Sequence, residues 1–338
     1  MRKLATLRQI DEVQPIPNAD AIGKVRLGGW WCVAKKGEFQ PGDKCVYFEI
    51  DSLLPPVEPF LFLEKGGRKK MLVEGREREG YRLKTVKLRG QISQGLALPL
   101  SAFAGKISLD APVGEDVTEL LGVVKYEPPV PACLTGEVKG PLPGVIPKTD
   151  EERIQNCPGM LEEYRGRSFS VTEKLDGTSA TFYKYQGRFG VCGRNWEYLE
   201  TELNLYWRMA RKYGLAEKVP EGYAWQCEII GESVQGNPLR IKGQEARLFY
   251  VFHINEHRYL EVSEMVDLAQ ASGIPYVPII ETAFILQHTM EQLLDLANRK
   301  SQLNPNREAE GLVFRLNHSA QKVSFKVISN PYLLQSGS

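Results

Sequence analysis

A chain of 338 residues with 43 basic and 42 acidic side chains has room for two or three domains, but its net charge of +1 gives it no bulk attraction for a polyanion. The 42% apolar and 25% charged content is that of a globular protein, and no run approaches the roughly 18 apolar residues of a membrane span. Six cysteines (Cys32, Cys45, Cys133, Cys157, Cys192, Cys227) are scattered without C-x-x-C spacing, which argues against a zinc ribbon or a disulfide framework and for a reducing cytoplasm.

From Met1-Arg2-Lys3-Leu4 the chain enters mixed sequence with no apolar signal core. Residues 1–125 then read as short strands broken by Gly and Pro: Leu4 to Ile10, Gly23 to Leu27, Trp30 to Ala34, Lys44 to Ile50, Tyr81 to Leu88 and Gly95 to Pro99. A short helix is expected from Pro59 to Lys65. Strands at this spacing predict a small β-barrel of the five-stranded OB type, which either binds nucleic acid or braces the second domain. A basic window holds Arg68, Lys69, Lys70, Arg76, Arg78, Arg82, Lys84, Lys87 and Arg89, diluted by Glu74, Glu77 and Glu79. It is either a solvated hairpin or a local nucleic-acid patch. Residues 126–146 are rich in Pro and Gly and read as a linker or extended arm.

The remainder, 147–338, mixes strands and helices. Thr149-Asp150-Glu151-Glu152-Arg153 has the acids of a helix start. Helices are predicted over Leu199 to Tyr213, over Glu264 to Ser272 with Ser263 as cap, and after Thr289, where Gln292 completes a capping box. His253 and His257 fall at a turn and read as structural, not as metal ligands.

Within this region Val171-Thr172-Glu173-Lys174-Leu175-Asp176-Gly177-Thr178-Ser179-Ala180 draws the most attention. A nucleophilic lysine must shed a proton against an unperturbed pKa of about 10.4. Nearby cations, a metal or burial lower that value, whereas Asp176 raises it unless a metal meets its charge. Asp176 therefore reads as the holder of a metal–water cluster, and Gly177 as a point where the backbone comes close to a ligand. The plain alternative is a strand ending in an Asp-Gly turn with Lys174 in water. Downstream come Gly193-Arg194-Asn195, Glu228 inside an apolar run, the aromatic strand Phe249 to Ile254, Glu310-Gly311, and Lys326 in a strand.

In that order these stretches resemble the covalent nucleotidyltransferases, the ATP-dependent polynucleotide ligases and mRNA capping enzymes, over about residues 147 to 334. Lys174-Leu175-Asp176-Gly177 matches motif I, Arg194 motif Ia, Glu228 motif III, Phe252 motif IIIa, Glu310 motif IV and Lys326 motif V. Ser179 stands where DNA ligases and capping enzymes usually have Arg, and the expected OB barrel precedes the motifs, as in the Deinococcus and Naegleria type of RNA ligase. Motif V often has a second lysine at the position of Ser324, which leaves Lys322 as its candidate replacement.

The resemblance implies an α+β protein: an OB domain followed by a nucleotidyltransferase (ATP-grasp-like ligase) domain of antiparallel sheets and helices. It implies ATP as AMP donor, Mg²⁺ or Mn²⁺ as cofactor, and nick sealing through lysyl-AMP and a 5′-adenylylated strand. Lys174 is then the nucleophile; Glu173, Arg194, Glu228, Phe252 and Lys326 bind the nucleotide, with Phe252 on adenine and Glu228 on ribose. Asp176 and Glu310 hold the metal through water. Arg82, Lys84, Lys87 and Arg89 are the nucleic-acid contacts expected of the barrel. The partner is a nicked duplex RNA or RNA/DNA hybrid, and the protein a cytoplasmic monomer without membrane contact. A DNA ligase, a capping-type transferase and a non-enzymatic nucleic-acid-binding protein are the alternatives.

Overall fold

The computed structural model describes residues 3–73, 76–127, 137–319 and 321–336. Glu74 of the basic window and Pro128, Pro129, Pro131, Cys133 and Gly136 of the expected linker lie outside the described residues. The chain forms two compact units, Met1–Pro129 and Val130–Ser336. Every pairing of named strands is antiparallel among the described residues.

The first unit begins with β1 (Ala5–Gln9), β2 (Glu12–Pro15), β3 (Ile22–Leu27), β4 (Trp30–Lys35) and β5 (Lys44–Phe48). It continues with β6 (Ser52–Leu54), β7 (Lys69–Val73), β8 (Arg76–Arg82), β9 (Val86–Leu88), β10 (Gln91–Ser93), β11 (Leu96–Pro99) and β12 (Val124–Lys125). Strand β5 is central. Val46 and Phe48 face one core with Phe60, Tyr81 and Phe103, while Cys45 and Tyr47 face a second with Trp30 and Cys32. Burial on both faces explains its unbroken apolar run, Cys-Val-Tyr-Phe. The short helix is a 3₁₀ segment, Leu61–Gly66. The strand expected over Tyr81 to Leu88 breaks after Arg82 and resumes at Val86.

The second unit comprises β13 (Val138–Pro141), α1 (Met160–Glu163), β14 (Ser168–Lys174), β15 (Thr178–Tyr185), β16 (Arg188–Cys192) and β17 (Trp196–Tyr198). Then follow α2 (Leu205–Tyr213), α3 (Leu215–Lys218), β18 (Tyr223–Gly231), β19 (Gln244–His253), β20 (Arg258–Tyr259) and α4 (Val262–Ser272). It closes with β21 (Ile279–Ile285), α5 (Met290–Ala297), β22 (Gly311–Leu316), β23 (Ser324–Ile328) and α6 (Asn330–Ser336). A seven-stranded sheet runs β13-β17-β16-β15-β18-β19-β20, and a four-stranded sheet runs β21-β14-β22-β23.

Alternation along the strands gives each sheet one apolar face. Phe182, Trp225, Cys227, Leu248 and Val251 pack with Met209, Ala210, Met265 and Ala269 of α2 and α4. Phe169, Val171, Phe314, Phe325 and Val327 pack with Leu293 and Ala297 of α5. The opposite faces carry Gln226, Glu228 and Tyr250 on one sheet and Lys174, Arg315, Ser324 and Lys326 on the other. They meet where the Arg315 guanidinium lies 5.2 Å from the centre of the Tyr250 ring.

Three expectations are corrected. Residues 138–141 of the presumed linker form β13, an edge strand paired with β17. Helix α2 starts at Leu205, because the Asn204 side chain accepts from the amides of Tyr206 and Trp207 and so caps it there. Glu261, not Ser263, caps α4, in a capping box with Glu264. The Thr289–Gln292 box stands as read.

Candidate active site

Lys174 is the last residue of β14 and is in register with Gly311 of β22, so the preceding Glu310 comes alongside it. The Lys174 Nζ donates to both Glu310 carboxylate oxygens, at 2.7 Å each. Two glycines make this proximity possible. A Cβ on Gly311 would lie 2.2 Å from the Val327 carbonyl oxygen, and one on Gly177 would lie 2.2 Å from that of Ile229. Gly177 thus brings the backbone close to β18 of its own chain; the sequence reading had a ligand in that place.

Three half-buried carboxylates share this space with a single ammonium. Burial, reinforced by Glu310, pushes Asp176 up to about 6 despite the hydrogen bond that it accepts from the Tyr332 hydroxyl and the charge of Lys174. Burial also pushes Glu228 up to about 8, with Lys174 opposing and the charges of Glu310 and Asp176 adding. Burial acts to lower Lys174, but Glu310, Glu228 and Asp176 outweigh it, and its net shift is upward. In this state the lysine is an ion-paired ammonium and not a nucleophile.

Three carboxylates against one ammonium leave two uncompensated negative charges when all ionise, which fits a divalent cation. No group of three His, Cys, Asp or Glu is placed to ligate a metal directly among the described residues. The residues therefore fit a hydrated Mg²⁺ or Mn²⁺ held through water by Asp176 and Glu310, as hard cations that keep their waters are held.

Lys326 projects from β23 on the same face as Lys174. It pairs with Val313, which pairs with Thr172, one row and about 7 Å along the strands from the lysine. Residues 147–153, read from sequence as a helix start, form an extended strap instead. The Pro147 carbonyl accepts from Gln226 Nε2 at 2.9 Å, and Lys148 donates to Asn195 at 2.8 Å. Asp150 pairs with Arg194 at 2.8 Å. Glu151 pairs with Lys322 at 2.5 Å and accepts from the Tyr250 hydroxyl at 2.9 Å and from Ser324 Oγ. The Lys326 amide donates to the Glu152 carbonyl at 2.8 Å, and the buried Arg153 forms a parallel bridge with Lys326. Acids that would have served a helix N-terminus are bound to side chains of β19 and β23 and to Arg194. Lys322 stands beside Ser324, with its ammonium 4.7 Å from the centre of the Tyr250 ring.

Other assignments change. Phe252 does share a face with Glu228, but its partner is Ala224, four residues and about 13 Å along β18 from Glu228. It is 1% exposed in a cluster with Ile146, Tyr183 and Ile254, so no ring face is open to a base. Glu173 is buried, and its carboxylate accepts from Ser301 Oγ and the Gln302 amide; it braces a loop and cannot read adenine with its side chain. The half-buried Phe249, packed with Leu175, Ile230 and Val277, is the aromatic ring nearest the motif I strand in this cluster. Sequence reading named Phe249 only as part of the aromatic strand, gave Glu151 and Arg153 to a helix start, and passed over Tyr332.

In the first unit Arg68 pairs with Glu64 and Glu79, and Lys70 with Glu77, so that hairpin is largely self-neutralised. Arg82 pairs with Asp51 at 2.8 Å and stacks on Tyr126, which removes it from a common basic strip with Lys84. Lys87 and Arg89 are exposed on the β9–β10 hairpin.

The carboxyl shifts set a pH dependence of stability. A carboxyl whose folded pKa is raised favours the fold while protonated; that contribution is complete below its unfolded value near 4.3 and is lost as pH rises through the folded value. For Glu228 the folded value is about 8. The metal-free protein should melt at progressively lower temperature from pH 6 to 8.5, and Glu228→Gln should flatten that slope. Parallel slopes in the two proteins, in melts with EDTA, would refute the assignment.

Two family models match the chain: an OB-fold domain over residues 4–100 and an RNA ligase over residues 167–328. Among solved structures, an apo mutant of Naegleria gruberi RNA ligase is 43% identical, with a TM-score of 0.88, covering 98% of this chain and 97% of that one. A mutant of that enzyme with AMP and Mn is 44% identical, with a TM-score of 0.88 and 98% of each chain covered. The enzyme with PPi is 44% identical, with a TM-score of 0.87 and 98% of each covered. No curated protein sequence matches.

Proposed function

The chain belongs to the RNA ligase family, and from that premise we propose that it seals 3′-OH/5′-phosphate nicks in duplex nucleic acid, with Lys174 as the nucleophile. It is an ATP-dependent RNA ligase with an OB-fold unit ahead of its ligase unit. The observation that carries the site assignment is the placement of Lys174 Nζ on both oxygens of Glu310, beside Asp176 and Glu228.

Deprotonated, the Lys174 amine attacks the α-phosphate of ATP; the bond to the β-phosphate breaks and pyrophosphate leaves, giving a lysyl-AMP phosphoramidate. AMP then passes to a 5′-phosphate, and a 3′-OH displaces it to close the strand. Each is an in-line displacement at phosphorus, governed by positioning and charge neutralisation. Asp176 and Glu310 would hold a hydrated Mg²⁺ or Mn²⁺ through water, and that ion would supply the positive charge that lowers the lysine pKa. Lys326 and Arg194 hold phosphate oxygens, Lys322 takes the part of the lysine absent at Ser324, and Glu228 binds the ribose. Phe249, in place of Phe252, offers its ring to adenine. The substrate is a nicked RNA duplex or RNA/DNA hybrid gripped by the first unit through Lys87 and Arg89, and the protein works as a monomer in the cytoplasm. Among the described residues no helix is long and apolar enough to cross a membrane.

Sealing of a nick with an RNA 3′-OH terminus, compared with an all-DNA nick and with GTP in place of ATP, tests this reading. Equal sealing of DNA would make it a DNA ligase, and labelling by GTP a capping-type transferase. The double change Lys87→Ala with Arg89→Ala should leave lysine adenylylation at its normal rate. It should weaken nick binding and reduce the salt slope of log K by about 2. An unchanged salt slope would remove that hairpin from the interface.

A further inference from the structure

The first turn of α6 touches both residues whose carboxylates are assigned to the metal, Glu310 at its backbone and Asp176 at its side chain. The buried Ser329 donates its amide to the Glu310 carbonyl at 2.9 Å. That serine also starts the helix: its hydroxyl accepts from the Tyr332 amide at 3.3 Å, and its carbonyl accepts from the Leu333 amide at 3.1 Å. From this turn Tyr332, 7% exposed, donates its hydroxyl to Asp176 Oδ2, 156 residues away in sequence. One helical turn therefore fixes the backbone that carries Glu310 and the side chain of Asp176.

The consequence is chemical. A carboxylate beside an ammonium swings toward it unless something else holds it, and the charge of Lys174 is close enough to be felt at Asp176. A direct Asp176–Lys174 pair would quench the nucleophile and draw the acid away from the hydrated cation. A phenol is a neutral donor below its unperturbed pKa of about 10. It can hold one carboxylate oxygen without adding charge and leave the other for the waters of the cation.

We propose that Tyr332 is a positioning residue for lysine adenylylation, orienting Asp176 toward the hydrated metal and away from Lys174. This rests on the reading of Lys174 as nucleophile and Asp176 as metal holder.

Tyr332→Phe removes only the hydroxyl and keeps the buried ring. Metal binding is read without chemistry in the Lys174→Ala background, as the rise in melting temperature with Mn²⁺ at fixed ATP. Adding Tyr332→Phe should raise the Mn²⁺ concentration for half the effect about 5- to 10-fold, the size expected for the net loss of one ordinary hydrogen bond. In the chain with Lys174 intact, Tyr332→Phe should slow single-turnover AMP labelling by a similar factor, and that loss should vanish when Asp176→Ala is also present. An unchanged Mn²⁺ response and labelling rate would overturn the proposal while normal labelling of the parent chain upheld the nucleophile. A loss that persists without Asp176 would overturn it too, since Tyr332 would then act only through packing. Should Tyr332→Phe fail to fold, Asp176→Asn, with the phenol in place, must still show the raised Mn²⁺ requirement. A normal requirement there would refute both the proposal and the assignment of Asp176.

Discussion

After incubation with α-labelled ATP and Mn²⁺, the chain should run on a denaturing gel as a labelled band, and Lys174→Ala should show none, a loss of at least about 10⁴-fold. Lys174→Arg should be equally inert, because a guanidinium does not give up its proton in a protein. Both variants should still bind ATP, since the cations proposed to hold its phosphates lie on other elements. Arg194 follows β16, and Lys322 and Lys326 come from the loop before β23 and from β23 itself. Label that survives in Lys174→Ala would place the nucleophile elsewhere and undo the chemistry proposed for Glu310 and Asp176. Glu310 adds a further expectation. Its two hydrogen bonds, at 2.7 Å, hold the amine as an ammonium, so labelling without a divalent cation should be at background.

Gly177→Ala should be nearly as severe for a different reason. A Cβ there would stand 2.2 Å from the Ile229 carbonyl oxygen and 2.8 Å from Ile230 Cγ2. Strand β18 is central in its sheet and cannot retreat, so the Asp176–Thr178 turn must lift off it. That lift strains the Thr178–Ile229 pairing and the hydroxyl contact between Thr178 and Tyr206 at 3.0 Å. It also displaces Asp176 and the end of β14. Overpacking of this kind costs about 1–3 kcal/mol, and a displacement of about 1 Å at the reacting group costs about 100-fold in rate. Gly144→Ala, where a Cβ meets nothing within 4 Å, is the matched control, with stability changed by less than about 0.5 kcal/mol. Melts and AMP labelling on the same samples separate the two effects. Normal labelling by Gly177→Ala would show that the turn tolerates a side chain and that the close approach has no part in placing Asp176.

How far the sequence could be read depended on whether a feature was local. Lys174, Asp176, Glu228 and Glu310 were legible because each sits at a strand end or inside an apolar run, where a charged residue needs a reason. The Thr289 box was legible because a capping box is four residues long. Phe252 was assigned from its place in the order of the motifs, which carries no strand register. The pairing of β18 with β19, shifted between Gln226 and Cys227, sets Phe252 opposite Ala224 and leaves Phe249 as the extra residue. Glu173 looked like a site residue by position alone, yet its partners are Ser301 and Gln302. The acids at 150–152 fitted a helix start by composition, and only the folded chain brings Arg194, Lys322 and Ser324 to them. Tyr332 has no motif at all. Its role arises from a contact across most of the ligase unit.

That span also bears on when competence is acquired during synthesis. The Tyr332–Asp176 bond links residues 156 apart, and the Lys174–Glu310 pair links residues 136 apart. At roughly 5–20 residues per second a ribosome takes about 8–30 s to pass from Asp176 to Tyr332. For most of that interval the growing chain holds Lys174 without Glu310, and Lys326 and the turn that bonds Asp176 follow later still. A nascent chain that stops before Glu310 therefore holds Lys174 without the carboxylate pair proposed to carry the cation. On the roles proposed above, charging with AMP would report that synthesis has passed Tyr332.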